Sequence, residues 1–61
     1  MRLTLTLKLD GAAFSDGGAE VARILGKEAY AWQDREVDRE GCWDLRDTYG
    51  NTCGSVLVEA D

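Results

Sequence analysis

Histidine and proline are both absent from this chain of 61 residues, and cysteine occurs only twice. Without histidine, the chain lacks the side chain that most often serves as a general base near neutral pH. The hydroxyls nearest an acid, those of Ser15, Thr48 and Thr52, have no base beside them to activate them. Cys42 and Cys53 alone cannot supply the four ligands of a structural zinc site. The stretch "DGGAEVARI" has glycines ahead of a helical pattern but no lysine placed as in a phosphate-binding loop. The stretch "DTYGN" lacks the regular oxygen ligands and closing glutamate of a calcium loop. Paired carboxylates such as Asp44 and Asp47 would need a pocket that so short a chain has little material to build. No enzymatic activity, catalytic residue, metal or cofactor is therefore expected.

Long apolar runs are lacking too, and nothing approaches the roughly eighteen consecutive residues of a membrane span. The N-terminal "MRLTLTLKLD" alternates, with neither a continuous apolar core nor a small-residue cleavage site. No signal peptide or membrane association is expected; the protein is read as cytosolic, with both cysteines reduced. A disulfide across a hairpin is the geometric alternative.

What is present is enough for one small folded domain, residues 1–61. The apolar fraction of 44% is that of a globular chain and not of a disordered one. A domain this size buries only about 60% of its unfolded surface, so its stability is narrow.

Basic charge is scarce where acidic charge is dense. The net charge is −5. Residues 1–30 balance Asp10, Asp16, Glu20 and Glu28 against Arg2, Lys8, Arg23 and Lys27, so the whole excess falls in residues 31–61. Such a surface repels nucleic acid and anionic membranes and suits a basic protein partner.

Periodicity divides the chain into four elements. Leu3, Leu5, Leu7 and Leu9 alternate with polar residues, the pattern of a strand with one apolar face, and all four are read as core. "DGAAFSDGG" follows as a connection, with Phe14 folding back onto the core and Ser15 or Asp16 placed to cap a helix. Val21, Ile24, Leu25, Ala29 and Trp32 then form one helical stripe, and Glu20 with Arg23 and Lys27 reads as surface pairing. The helix ends either near Trp32 or at Glu40, with Gly41 as its stop. "CWDLRD" alternates again, "TYGN" is a turn, and "TCGSVLVE" is the last strand, with Gly54 marking a bulge or a close backbone approach. The expected fold is α+β: a two-layer β-α-β-β domain, one helix on a three-stranded, mainly antiparallel sheet, with the first strand beside the last.

The densest charge lies in "DREVDREGCWDLRD", residues 34–47. Six carboxylates (Asp34, Glu36, Asp38, Glu40, Asp44 and Asp47) stand there against Arg35, Arg39 and Arg46. On a helix running to Glu40, Asp34 would stack on Asp38 and Glu36 on Glu40, a mildly unfavourable arrangement near the negative end of the dipole. Charged runs are ordinarily solvated faces. The sharper reading is a contact surface in which the acids stand in for DNA phosphates, patterned by the interleaved arginines.

The ends of the chain resemble a group of very short phage and prophage proteins. "MRLTLTLKLDGAAF" followed by "EVARIL" is similar to their opening strand and its Asp–x–Ala–Ala–Phe-like end, and "LRDTYGNTCG" to their Leu–Arg–Asp–x–Asn–Gly–Asn–x–x–Gly hairpin. Leu45, Arg46, Asp47, Gly50, Asn51 and Gly54 fit that hairpin, while Tyr49 stands where Asn is usual and Cys53 where an aliphatic residue is usual. The likeness covers residues 1–26 and 45–56 and leaves the acidic middle unmatched. In size and charge the chain also looks like small acidic anti-CRISPR proteins, several of which block type I interference complexes by occupying the basic surface that reads target DNA. The resemblance implies a phage-encoded inhibitor working in the host bacterial cytosol. Its expected partner is the basic DNA-binding surface of a type I CRISPR effector, contacted through Asp34, Glu36, Asp38, Glu40, Asp44 and Asp47, with Trp43 or Tyr49 as aromatic anchor. It is expected to act as a monomer with no direct nucleic-acid contact. The alternative is a phage accessory protein that self-associates through its sheet edge.

Overall fold

The alternation at the N-terminus and the apolar run at the C-terminus meet as neighbouring strands. In the computed structural model, which describes residues 1–60, strand β1 spans Arg2–Leu7, helix α1 Ala19–Trp32, strand β2 Gly41–Arg46 and strand β3 Thr52–Glu59. A short 3-10 helix, Ala12–Phe14, sits between β1 and α1. The sheet order is β1-β3-β2, both pairings antiparallel, so the last strand lies in the middle. This is the expected α+β arrangement.

Residues directly opposite across an antiparallel pair share a face of the sheet. One face carries three rungs: Leu3–Val58–Gly41, Leu5–Val56–Trp43 and Leu7–Gly54–Leu45. The other carries Thr4–Leu57–Cys42 and Thr6–Ser55–Asp44. The core forms on the first face, where Phe14, Ile24, Leu45, Cys53 and Val56 cluster, with Leu5, Leu7, Val21 and Trp32 packed against them.

One helix, about 10 Å across, shields the middle of such a sheet better than its rims. Val56 and Val58 on the central strand are 0% and 1% exposed. Burying each is worth about 1.5 kcal/mol or somewhat more. Leu5 and Leu7 on the outer strand are half-buried. The expectation that all four alternating leucines are core is corrected here: Leu3 is 48% exposed, and Leu9, beyond the end of β1, is 56% exposed.

The helix departs from expectation at two points. Neither Ser15 nor Asp16 caps it: Gly18 holds the N-cap without a side-chain bond, and the Ser15 hydroxyl donates instead to the carbonyl of Ala12. Leu25 and Ala29 are exposed, so the buried stripe is Glu20, Val21, Ile24 and Trp32. Of its two expected ends the helix takes the earlier, Trp32, and does not run to Glu40. Its last turn tightens through N–H bonds from Gln33 to Tyr30 O and from Arg35 to Trp32 O. Stopping there avoids stacking like charges at the negative end of the dipole.

Between Leu45 and Arg46 the register slips by one, because Leu45 pairs with Gly54 and Arg46 with Thr52. Cys53 is the extra residue of this bulge, and it enters the core, where its thiol donates to the Leu45 carbonyl at 3.5 Å. Gly54 beside it allows β1 to come close: a Cβ there would lie 1.9 Å from the Thr6 carbonyl oxygen. Cys42 is exposed and Cys53 buried, and both are free. No helix among the described residues is long and apolar enough to cross a membrane.

Candidate partner-binding surface

Residues 33–40 link α1 to β2 without regular structure, and they bring four of the six predicted carboxylates together in one segment. Asp34, Glu36, Asp38 and Glu40 are all exposed, alternating with Arg35, Val37 and Arg39. Asp38 pairs with its neighbour Arg39 at 3.5 Å. Asp34, Glu36 and Glu40 have no side-chain partner among the described residues. The fold therefore makes no use of these charges.

Beneath the segment lies an aromatic corner. Trp32 ends α1 and packs against the core, and Trp43 stands on β2 on the core face of the sheet. Their ring centroids are 5.4 Å apart with planes at 88°, an edge-to-face contact. Gly41 makes room for this. A Cβ at that position would come within 2.7 Å of the Trp43 indole, which lies along the start of the strand. The guanidinium carbon of Arg35 sits 4.9 Å from the Trp32 ring centre and 5.9 Å from that of Trp43. An open hollow of about 270 Å3, largely apolar, is bounded by this corner together with Glu36, Val37, Asp38, Arg39 and Val58.

The other predicted contacts are placed elsewhere. Asp44 points to the opposite face of the sheet from Trp43, in line with Ser55. Asp47 belongs to the hairpin turn. Its Oδ1 accepts the N–H groups of Tyr49 (2.9 Å) and Asn51 (3.0 Å), and Arg46 donates to the Gly50 carbonyl across the same turn. Tyr49 is exposed at the tip. Four steps of extended chain run from Trp43 to Asp47, roughly 13 Å, so the loop acids and the turn residues make two patches, not one.

Glu20, read from sequence as a surface pair, is instead only 7% exposed. Arg23 donates Nε to its Oε1 (2.7 Å) and Nη2 to its Oε2 (2.8 Å), and the Thr48 N–H donates to Oε2 (2.7 Å). The Arg23 hydrogen bond holds the Glu20 carboxyl below its ordinary range against the opposing effect of burial, and the Thr48 bond adds to it. The spacing to Arg23 was visible in sequence, but the contact with Thr48 was not. The Trp32–Arg35–Trp43 corner had a partial signal, an i, i+3 pair beside a glycine, that gains meaning only once β2 folds back.

Among the described residues, no three acids or cysteines gather as a metal-ligand set. No protein-family model matches the chain, and none of the curated proteins or solved structures compared with it is a match.

Proposed function

We propose that this chain is a non-enzymatic binding module that engages a basic protein surface through the 34–40 segment, with Trp43 as its aromatic anchor. The observation that carries the reading is that Asp34, Glu36 and Glu40 are exposed, without a side-chain partner among the described residues, in the segment beside an aromatic corner. Carboxylates of this kind accelerate encounter with a basic surface and supply specificity, and a neighbouring tryptophan supplies affinity. The resemblance to short phage proteins gives the specific candidate: a phage-encoded inhibitor that competes with target DNA on a type I CRISPR effector. Asp47 is not among the contacts proposed here, because its carboxylate is engaged by the turn.

The test is charge reversal of Asp34, Glu36, Asp38 and Glu40 to lysine, assayed by target-DNA binding of the purified effector. The variant keeps its fold, because none of the four is buried, and loses inhibition; native inhibition weakens steeply with salt. Inhibition unchanged by the four reversals sinks the proposal.

A second reading rests on the topology. β1 and β2 each leave one edge unpaired, and exposed edges invite pairing with a second copy. Sedimentation across a concentration series separates the readings, since a constant monomer mass counts against self-association.

A further inference from the structure

We infer that the Trp32–Trp43 corner is a guanidinium site, which Arg35 fills from within in the free protein and which an arginine side chain of the partner takes over on binding. The inference rests on the preceding reading only for where that arginine comes from.

The geometry of Arg35 is that of a bound ligand. Its guanidinium carbon lies within cation–π range of both rings, at 4.9 and 5.9 Å. That guanidinium makes no hydrogen bond or ion pair among the described residues, although Glu36 is its neighbour in the chain. It is exposed, and its residue is tied to the rest of the fold by one backbone bond, from its N–H to Trp32 O at 3.2 Å. Swinging the side chain out therefore gives up the ring contacts but breaks no hydrogen bond or ion pair among the described residues.

The corner itself is fixed. Trp32 is packed on the core, Trp43 is held on β2, and Gly41 leaves the space in which the Trp43 indole lies. Alongside is the hollow of about 270 Å3, lined also by Val37, Val58, Glu36 and the ion-paired Asp38 and Arg39. With Arg35 swung out, Glu36 and Asp38 against Arg39 leave the hollow's lining one net negative charge, which favours a cationic occupant over an anionic one.

The test uses small probes and needs no partner, so its result is independent of the inhibition assay. N-acetyl-arginine methylamide is titrated into the protein while the two indole N–H resonances are followed; Trp32 and Trp43 are the only tryptophans, and both belong to the site. The neutral citrulline analogue and the lysine analogue are titrated in parallel. Removing the internal occupant with Arg35→Ala should tighten binding of the arginine probe about two- to five-fold. Lys27→Ala, on α1 and outside the hollow's lining, changes the net charge equally without vacating the rings and should tighten it less than about two-fold by the same reasoning. Trp43→Leu should abolish the shift of the Trp32 indole. Equal gains in Arg35→Ala and Lys27→Ala, or no titratable shift in Arg35→Ala, overturn the inference. So does a citrulline probe that binds as well as the arginine one, and a lysine probe binding equally well overturns the preference for guanidinium.

Discussion

Oε2 of Glu20 accepts the backbone N–H of Thr48 at 2.7 Å, so a side chain in the first turn of α1 holds the turn between β2 and β3, 28 residues further on. The same carboxylate is gripped by Arg23 through two nitrogens. A helix start and a hairpin turn are thereby joined through one charge.

Acid sensitivity follows. The Glu20 carboxyl titrates below its ordinary value when folded, chiefly because Arg23 hydrogen-bonds it. A depressed folded value means the contribution is complete above the unfolded glutamate range and is lost as pH falls through the folded value. Melting curves taken from about pH 7 down to about pH 3 should show Glu20→Gln losing part of the native protein's acid-side decline, and should show it less stable at neutral pH. Parallel pH profiles for the two proteins would contradict this role.

Gly54 lies directly against the backbone of β1. Any Cβ at this position meets the Thr6 carbonyl oxygen at 1.9 Å, and a backbone atom of a paired strand cannot turn aside as a side chain can. Gly54→Ala should cost about 3 kcal/mol or more, read by chemical denaturation. A loss under about 0.5 kcal/mol, the size of an ordinary surface substitution, refutes the close approach.

Asp47 separates architecture from contact. Its carboxylate closes the turn on the N–H groups of Tyr49 and Asn51, so Asp47→Ala should lower stability by about 1–2 kcal/mol. Binding by the remaining folded fraction should be unaltered. A variant of native stability that fails to bind would return Asp47 to the contact surface.

The two thiols should react at different rates. Cys42 is exposed on β2, whereas burial, aided by the negative charge of Asp47, pushes the Cys53 thiol above its ordinary value. A thiol reagent at neutral pH should modify Cys42 readily and Cys53 only on unfolding. Equal labelling of both in the native protein would show that Cys53 is not in the core.

Much of the fold was legible because it depends on local period. The alternation of Leu3, Leu5 and Leu7 announces a strand whatever surrounds it, and the "TYGN" turn with its Gly50 at φ +81° announces a hairpin. The end of α1 was legible in principle. Asp34, Glu36, Asp38 and Glu40 recur at every second position, a spacing foreign to a 3.6-residue helix, which favours the earlier of its two expected ends. The exposure of Leu25 was not legible, since an apolar residue at the edge of a stripe is covered only if a strand reaches it.

By itself, then, the sequence determined an acidic single-helix α+β chain with its charge excess in the second half, because composition and period are properties of neighbours in the chain. The tertiary structure alone decided that six carboxylates fall into separate places: four on an irregular segment, Asp44 on the far face of the sheet, and Asp47 inside a turn. It also decided that Trp32, Arg35 and Trp43 meet, since an edge-to-face ring pair across an eleven-residue separation requires β2 to fold back beside the end of α1, and only packing of the whole sheet sets that return.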